Sequence, residues 1–143
     1  MIILDTNVIS ALMRAAPDPS VVAWLDRQAP ESIWITSITL FEARLGLALL
    51  PTGRRRQALE AAFAALLQED LESRVLDFDS AAAIEAASLA AGRQRAGRPV
   101  DMRDTQIAGI ALARRATLAT GNVRHFEDLK VPVVDPFRVR TQR

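Results

Sequence analysis

The chain of 143 residues contains no cysteine and only one lysine and one histidine. The lack of cysteine excludes a disulfide framework, a thiolate metal site and a cysteine nucleophile, and it is compatible with a reducing cytosol. The apolar start of the chain is interrupted at Asp5, so it lacks the pattern of a signal peptide. No apolar run approaches the ~20 residues that span a bilayer. We therefore expect a cytoplasmic protein without a membrane-spanning segment.

The formal net charge is only +1, so no overall positive field requires a nucleic-acid partner. Every basic residue except Lys130 is an arginine, and arginine is the better bidentate ligand for phosphate. A GC-rich genome would produce the same bias, and we favour that explanation.

Half of the residues are hydrophobic, which together with the length predicts one folded domain. Short stretches typical of strands alternate with stretches of helical periodicity. The predicted strands are 2–4, 32–36, 73–79, 116–120 and 131–135, and the predicted helices are 7–13, 20–29 with Ser20 as N-cap, 37–50, 52–71, 80–96 and 101–115. This alternation predicts an α/β domain whose mostly parallel central sheet of four to five strands is flanked by helices. We expect a single domain over 1–143, with 136–143 as a tail that is loose or contacts a partner.

Polar residues follow two of the predicted strands. Asp5 comes directly after the first strand, and Thr120 ends a later one, with Asn122 just beyond it. In parallel α/β folds, ligands bind beyond the carboxyl ends of the strands. Asp5 therefore lies where a site is expected, although it could equally be the N-cap of the helix that follows.

Glu42 lies in the middle of an apolar stripe on the predicted helix 37–50, together with Ile38, Leu45 and Leu49. A glutamate in such a position is rarely buried without a partner. The alternative is a capping box, because Thr39 and Glu42 match its spacing. We favour Glu42 as a residue of a functional site, because Ser37 offers an earlier start to the helix than Thr39 does.

Asp101 and Asp104 are three residues apart and share one face of the last predicted helix, 101–115. Asp104 is in register with Ile107, Ala108 and Ala111, which should face inward. Asp101 could be the N-cap of this helix, and a first-turn Asp104 is favoured by the helix dipole. Both interpretations can hold, with Asp101 capping the helix while Asp104 faces a pocket.

The three acids Asp5, Glu42 and Asp104 should gather at one edge of a parallel sheet. Carboxylates in close proximity repel one another and raise one another's pKa. A hard cation such as Mg²⁺ or Mn²⁺ removes this conflict, because oxygen ligands suit it. Such an ion can activate water and neutralise charge on a phosphoryl group.

Four segments together resemble the PIN-domain ribonucleases: "MIILDTNVIS", "ITSITLFEARLGL", "GRPVDMRDTQIAGIALA" and "LATGNVRHFEDLKVPVVDPF". The most similar group is the VapC-type toxins of type II toxin–antitoxin systems, of the FitB-like subgroup. The resemblance covers nearly the whole chain. It implies an endoribonuclease that uses Mg²⁺ or Mn²⁺ to hydrolyse RNA phosphodiesters and is inhibited by a VapB/FitA-like antitoxin. It also implies a homodimer, a heterotetramer or larger assembly with the antitoxin, DNA contact only through the antitoxin, and no membrane partner.

The resemblance also implies roles for individual residues. The invariant acids of the family fall on Asp5, Glu42 and Asp104, of which Asp5 and Asp104 would bind the metal. The fourth acidic position falls on Asn122, whose carbonyl can still bind a metal or accept a hydrogen bond without carrying charge. Gly121 stands where family members often have arginine, so we expect no phosphate contact from that position.

The remaining candidates have weaker signals. Thr6, Asn7 and Thr120 could orient the carboxylates, although Thr6 and Asn7 could equally be turn and cap residues. His125 could be a general base, but we favour a partly exposed loop residue that packs or contacts phosphate. Arg98 is the best phosphate contact, whereas we expect most of the other clustered arginines to be solvated: Arg54, Arg55, Arg56, Arg93 and Arg95.

A different functional class remains open. Because Asn122 is neutral, the chain could be a catalytically weak or inactive PIN-fold module that only binds RNA or protein. We discount a phosphatase, because position 7 is asparagine where a second acid is needed. We also discount a receiver domain, because Lys130 precedes the last strand instead of following a late one. The apolar region around 45–67 could be a dimer or antitoxin surface, or simply core.

Overall fold

A five-stranded parallel sheet forms the centre of the chain. The computed structural model describes residues 1–138, so most of the predicted tail at 136–143 lies outside the described residues. The strands are β1 (Ile2–Leu4), β2 (Ile33–Thr36), β3 (Val75–Leu76), β4 (Thr117–Ala119) and β5 (Val133–Val134). They lie in the order β3-β2-β1-β4-β5, and every pairing is parallel. The predicted α/β class is confirmed, with β1 in the middle of the sheet.

Six α-helices flank this sheet within residues 1–138. They are α1 (Thr6–Met13), α2 (Pro19–Asp26), α3 (Ser37–Ala48), α4 (Arg54–Ala65), α5 (Ser80–Arg95) and α6 (Met102–Arg114). One buried cluster contains Val8, Ile9 and Phe63, and a second contains Ile107, Leu118 and Phe126. In the described part of the chain, no helix is both long and apolar enough to cross a membrane.

Several predicted boundaries are wrong, among them the ends of 20–29 and 131–135, and three of these errors have a clear local reason. The N-cap of α2 is Asp18 and not Ser20, because Asp18 Oδ1 accepts from the amide of Ser20 at 2.9 Å. The α-helical part of 52–71 ends at Ala65 and continues as a π-helical turn, Leu66–Asp70. The strand predicted at 73–79 shrinks to Val75–Leu76, because Ser73 has a positive φ of 58° and the side chain of Asp79 caps α5.

The register of the sheet places the polar strand ends side by side. Leu4 of β1 pairs with Ala119 of β4, so Asp5 and Thr120 follow on neighbouring strands. The amide of Asp5 extends this pairing by donating to the carbonyl of Ala119 at 2.9 Å. The helices α1 and α3 begin directly after β1 and β2 at the same edge. This edge is therefore where the predicted site residues can meet.

Candidate active site

Asp5 is a buried carboxylate, with only 3% of the residue exposed. Its Oδ1 accepts from the amide of Thr6 at 2.8 Å, so it caps α1 as the alternative interpretation expected. Its Oδ2 accepts from the hydroxyl of Thr120 at 2.8 Å. Burial raises the pKa of Asp5 from 3.8 to about 6 against the lowering effect of these two hydrogen bonds, and the charges of Asp104 and Glu42 raise it further. Asp5 is thus both the N-cap of α1 and a member of the acidic site.

Thr120 and Asn7 connect Asp5 to the loop after β4. Thr120 is fully buried, and its Oγ1 accepts from Asn7 Nδ2 at 3.3 Å and from the amide of Asn122 at 3.0 Å. Asn7 Nδ2 also lies 3.5 Å from Asp5 Oδ2, and Asn7 Oδ1 accepts from the amide of Gly121 at 3.1 Å. These contacts tie the start of α1 to the segment that carries Asn122.

Glu42 contacts the same region from α3. The N-cap of this helix is Thr36, whose Oγ1 accepts from the amide of Thr39 at 3.1 Å, so the capping box of Thr39 and Glu42 is wrong. Glu42 Oε1 instead accepts from the hydroxyl of Thr6 at 2.7 Å. The predicted apolar stripe is wrong at its far end, because Leu49 is 76% exposed close to the end of the helix.

A chain of threonine hydroxyls leads to Glu42. Thr6 Oγ1 lies 3.0 Å from Thr39 Oγ1, and Thr36 Oγ1 lies 3.4 Å from Thr39 Oγ1. Thr6 has one hydroxyl proton, which it donates to Glu42. Thr39 therefore donates to Thr6, and Thr36 donates to Thr39. Buried hydroxyls fix the direction in which the Glu42 carboxylate is held.

Arg103 also contacts Glu42, although it is not among the residues predicted from the sequence. Its Nη1 lies 3.4 Å from Glu42 Oε2, and its guanidinium lies 5.3 Å from the ring centroid of Phe41. Phe41 is 55% exposed. A signal was present, because a basic residue in the first turn of a helix opposes the helix dipole and needs an acidic partner.

Asp101 and Asp104 divide the two predicted roles between them. Asp101 is the exposed N-cap of α6, and its Oδ1 accepts from the amide of Asp104 at 3.0 Å. The Oδ2 of Asp104 lies 3.0 Å from Nδ1 of His125, whose side chain is 58% exposed. Asp104 is close enough to Asp5 for its charge to raise the pKa of Asp5. His125 therefore packs on one of the three acids from the solvent side.

Asn122 lies in an exposed loop beyond β4 and precedes a 3₁₀ turn, Val123–Phe126. The neighbouring Gly121 is tightly covered, because a Cβ at this position would lie 2.9 Å from the ring of Phe137. The residue type at 121 therefore depends on the segment after β5. A long side chain here would require Phe137 to move.

The comparisons with known proteins identify the family. Residues 2–131 match the model of the PIN domain. The chain belongs to the PIN-domain family. It is 37% identical over 137 residues to VapC ribonuclease Y4jK of Sinorhizobium fredii, covering 96% of this chain and 98% of the relative. It is 34% identical over 137 residues to toxin FitB of Neisseria gonorrhoeae, covering 96% and 99% of the two chains.

Solved structures show the same relationship. The structure of FitAB bound to a DNA fragment matches this PIN domain with a TM-score of 0.89 and 33% sequence identity. The match covers 100% of both chains. The family that the four sequence segments resemble is thus confirmed by an independent comparison of the fold.

Two arginines of this PIN domain pair with Asp128. Arg98 Nη1 lies 3.0 Å from Asp128 Oδ2, and its contact with phosphate stays a prediction. Arg93 is not solvated, because its side chain is only 5% exposed. The sequence held a signal for Arg93, which shares one buried face of α5 with Ala82 and Ala86.

The donor set of the site suits a hard cation. Asp5, Glu42, Asp104 and Asn122 offer only oxygen ligands, which Mg²⁺ and Mn²⁺ prefer. Among residues 1–138, no three histidine, cysteine, aspartate or glutamate side chains come close enough together to hold a metal ion. Mg²⁺ is commonly held by one or two carboxylates, with water and substrate phosphate completing its shell. The charge of Asp104 makes Asp5 harder to ionise, and a cation bound between them would offset that repulsion.

Proposed function

We propose that this PIN domain is an endoribonuclease dependent on Mg²⁺ or Mn²⁺ and that it acts as the toxin of a toxin–antitoxin pair. One observation carries the proposal. Asp5 is held as a buried carboxylate at the carboxyl end of the central strand, within the electrostatic reach of Glu42 and Asp104. The likeness to a VapC ribonuclease and to toxin FitB supports the assignment to RNA and to a toxin.

The side chains of the site divide the work of hydrolysis. Asp5 and Asp104 would hold the ion, which when bound neutralises phosphoryl charge and makes water a better nucleophile. Thr120 and the amide of Thr6 fix the Asp5 carboxylate, which prevents it from turning away. Thr6 holds Glu42 at Oε1 and Arg103 holds it at Oε2, and a remaining lone pair of this carboxylate would accept a hydrogen bond from the attacking water. Addition of water to phosphorus with loss of the 3′-oxygen leaves a 5′-phosphate and a 3′-hydroxyl.

A cleavage assay tests this proposal directly. Wild-type protein free of antitoxin and the Asp5→Asn variant are purified identically and incubated with structured RNA in Mg²⁺, Mn²⁺ or EDTA. We expect cleavage only by the wild type and only with metal. Equal cleavage by both proteins would identify a contaminating nuclease and remove the support for this mechanism.

A binding module without turnover is the second candidate. It is favoured by the neutral, exposed Asn122 and by the absence of a three-ligand group among residues 1–138. RNA binding that Asp104→Asn leaves unchanged, with no cleavage in any metal, would support it. Restored cleavage in Asn122→Asp would instead show that only the fourth ligand is missing.

The antitoxin would bind a groove between α1, α3 and α4. This groove has a volume of about 720 Å³ and a mostly apolar lining, with Arg14 and Arg55 contributing positive charge. Thr6 and Glu42 also line it, so an occupant of the groove would lie directly beside Glu42. Solved FitAB and VapBC assemblies of relatives support an antitoxin as this occupant. Ala58→Glu should weaken binding of the antitoxin, measured by co-purification, without slowing RNA cleavage.

A homodimer, or a larger assembly with the antitoxin, is also part of the proposal. Phe41 on α3, Leu49 directly after α3 and Met102 on α6 are large apolar side chains exposed to solvent. Arg103, the neighbour of Met102, lies over the ring of Phe41, and aromatic and methionine side chains are enriched at protein interfaces. Sedimentation of Phe41→Glu beside the wild type would test the dimer. We propose DNA contact only through the antitoxin, and the cytoplasmic location and the single-domain extent over 1–143 stay predictions.

A further inference from the structure

Arg93 is a charged side chain that the fold buries at the end of α5. Its Nε and Nη2 donate to the two carboxylate oxygens of Asp128, each at 2.9 Å. Nη2 also donates to the carbonyl of His125 at 2.8 Å, and Nη1 donates to Thr105 Oγ1 at 3.3 Å. Burying a guanidinium is costly unless its donors are satisfied. The hydrogen bonds of Arg93 therefore fix the positions of Asp128, the carbonyl of His125 and the hydroxyl of Thr105.

The partners of Arg93 belong to two segments that meet at the candidate active site. Thr105 directly follows Asp104 in the first turn of α6, and its hydroxyl donates to the carbonyl of Asp101 at 2.7 Å. His125 lies in the 3₁₀ turn Val123–Phe126, which directly follows Asn122. Arg93 thus joins the helix that carries Asp104 to the turn that carries His125.

Three other contacts hold this segment. The amide of Asn122 donates to Thr120 Oγ1 at 3.0 Å before the turn, His125 Nδ1 lies 3.0 Å from Asp104 Oδ2 at the surface, and Phe126 packs at the end of the turn. Phe126 is fully buried in the second core cluster and anchors the turn by packing. Apolar packing leaves rotation of the turn weakly defined, whereas hydrogen bonds to a carbonyl and to both oxygens of a carboxylate define a direction. The hydrogen bond from Arg93 lowers the pKa of Asp128, and the charges of Arg93 and Arg98 lower it further, so Asp128 is ionised at neutral pH.

We propose that Arg93 is a positioning residue that fixes the turn Val123–Phe126 against the first turn of α6 and thereby sets Asn122 and His125 relative to Asp104. Its effect on metal binding and cleavage rests on the proposed function, whereas its effect on the turn does not. Arg93 has no hydrogen bond to the site acids Asp5, Glu42 and Asp104, so it acts only through the segments it joins.

Removing Arg93 should leave a folded protein. Asp128 keeps Arg98 as a partner at 3.0 Å, and Phe126 stays in the core. Arg93→Met preserves the apolar stem and removes all donors. Arg93→Lys preserves the charge but cannot form the two-pronged contact with Asp128. Arg95→Met is the matched control, because Arg95 is exposed in the same helical turn.

The first measurement is amide hydrogen exchange in metal-free protein. The amides of His125 and Leu129 report on the turn, because they donate to Asn122 and Phe126 at 3.0 and 3.1 Å. The amide of Asp5, which donates to Ala119, reports on the sheet. We expect Arg93→Met and Arg93→Lys to speed exchange of the two turn amides about 10-fold, with the Asp5 amide unchanged. Arg95→Met should match the wild type at all three amides.

The second measurement is Mn²⁺ binding without RNA, followed by steady-state cleavage. We expect about 10-fold weaker Mn²⁺ binding by Arg93→Met and a lower kcat with little change in KM, as for groups that orient metal ligands. Unchanged exchange at the turn in a folded Arg93→Met protein overturns the proposal, and so does equally faster exchange at the turn and the sheet. If the wild type neither binds Mn²⁺ nor cuts RNA, the proposed function fails, while the exchange result still decides the role of Arg93.

Discussion

Asp5 and Asp104 belong to the same acidic site, but the structure holds them in opposite ways. Asp5 is buried at the end of the central strand, where the fully buried Thr120 and the amide of Thr6 bond it. Asp104 is partly exposed on α6, and its carboxylate contacts His125, a solvent-exposed residue of a 3₁₀ turn. The sheet therefore fixes one side of the site, whereas packing between α5, α6 and a turn fixes the other.

The largest expected effect concerns the buried side and appears as a pH dependence of stability. The folded state keeps the Asp5 proton up to about pH 6, whereas the unfolded chain releases it near the ordinary value of 3.8. The unfolding free energy should therefore fall as pH rises from about 4 to about 6. The pKa difference corresponds to about 3 kcal/mol.

Asp5→Asn lacks this titration, so the variant isolates it. Urea unfolding of both proteins in EDTA, at several pH values between 4 and 7.5, gives the difference in unfolding free energy. The variant should gain stability relative to the wild type across this range. Because any cost of the altered hydrogen bonds does not change with pH, a constant difference would mean that the burial of Asp5 does not raise its pKa.

Gly109 tests the side of the site that depends on helix packing. A Cβ at Gly109 of α6 would lie 2.5 Å from the carbonyl oxygen of Ala82 and 2.7 Å from the Cβ of Ala86. Gly109→Ala should therefore push α6 away from α5 and reduce the unfolding free energy by about 1–3 kcal/mol, as overpacking does. Urea denaturation measures the change.

Gly92→Ala is the matched control for Gly109→Ala. Gly92 lies inside α5, and a Cβ there meets nothing within 4 Å. This variant should be stabilised by about 0.5–1 kcal/mol, because alanine is the better helix former. Equal effects of the two substitutions would show that the contact between α5 and α6 is looser than the structure has it.

The sequence predicted the buried side of the site better than the exposed side. The pattern of β1 and the register of parallel strands place Asp5 beside Thr120, because strand ends in such a sheet share one edge. The sequence contains signals that Arg93 and Arg103 need partners, but no such rule predicts that these partners are Asp128 and Glu42, because the contacts depend on how helices pack. The length of β3 was overestimated for a different reason. The backbone at Ser73 adopts a positive φ, which the residue type does not favour.

A pair of substitutions compares the two sides through activity. Thr120→Val removes the hydroxyl that donates to Asp5, which should lower cleavage about 10- to 100-fold. It should also raise the pKa of Asp5, because that hydrogen bond lowers it. The acidic limb of the rate–pH profile should then move to higher pH.

His125→Ala removes only an exposed contact with Asp104, so we expect a change of less than about 10-fold. A larger loss from His125→Ala than from Thr120→Val would reverse the comparison.

The smallest expected effect concerns Gly121, the position at which the family resemblance led us to expect an arginine. Gly121→Arg alone should not improve cleavage, because the new Cβ would lie 2.9 Å from the ring of Phe137. The strain should instead shift the loop whose Gly121 amide donates to Asn7, and lower the rate a few-fold. Adding Phe137→Ala removes the obstructing ring and should restore or exceed the wild-type rate, while Phe137→Ala alone controls for the lost packing. A faster rate from Gly121→Arg without the second substitution would mean that the segment after β5 moves easily. The absence of an arginine at 121, and not the position of Phe137, would then limit the rate of cleavage.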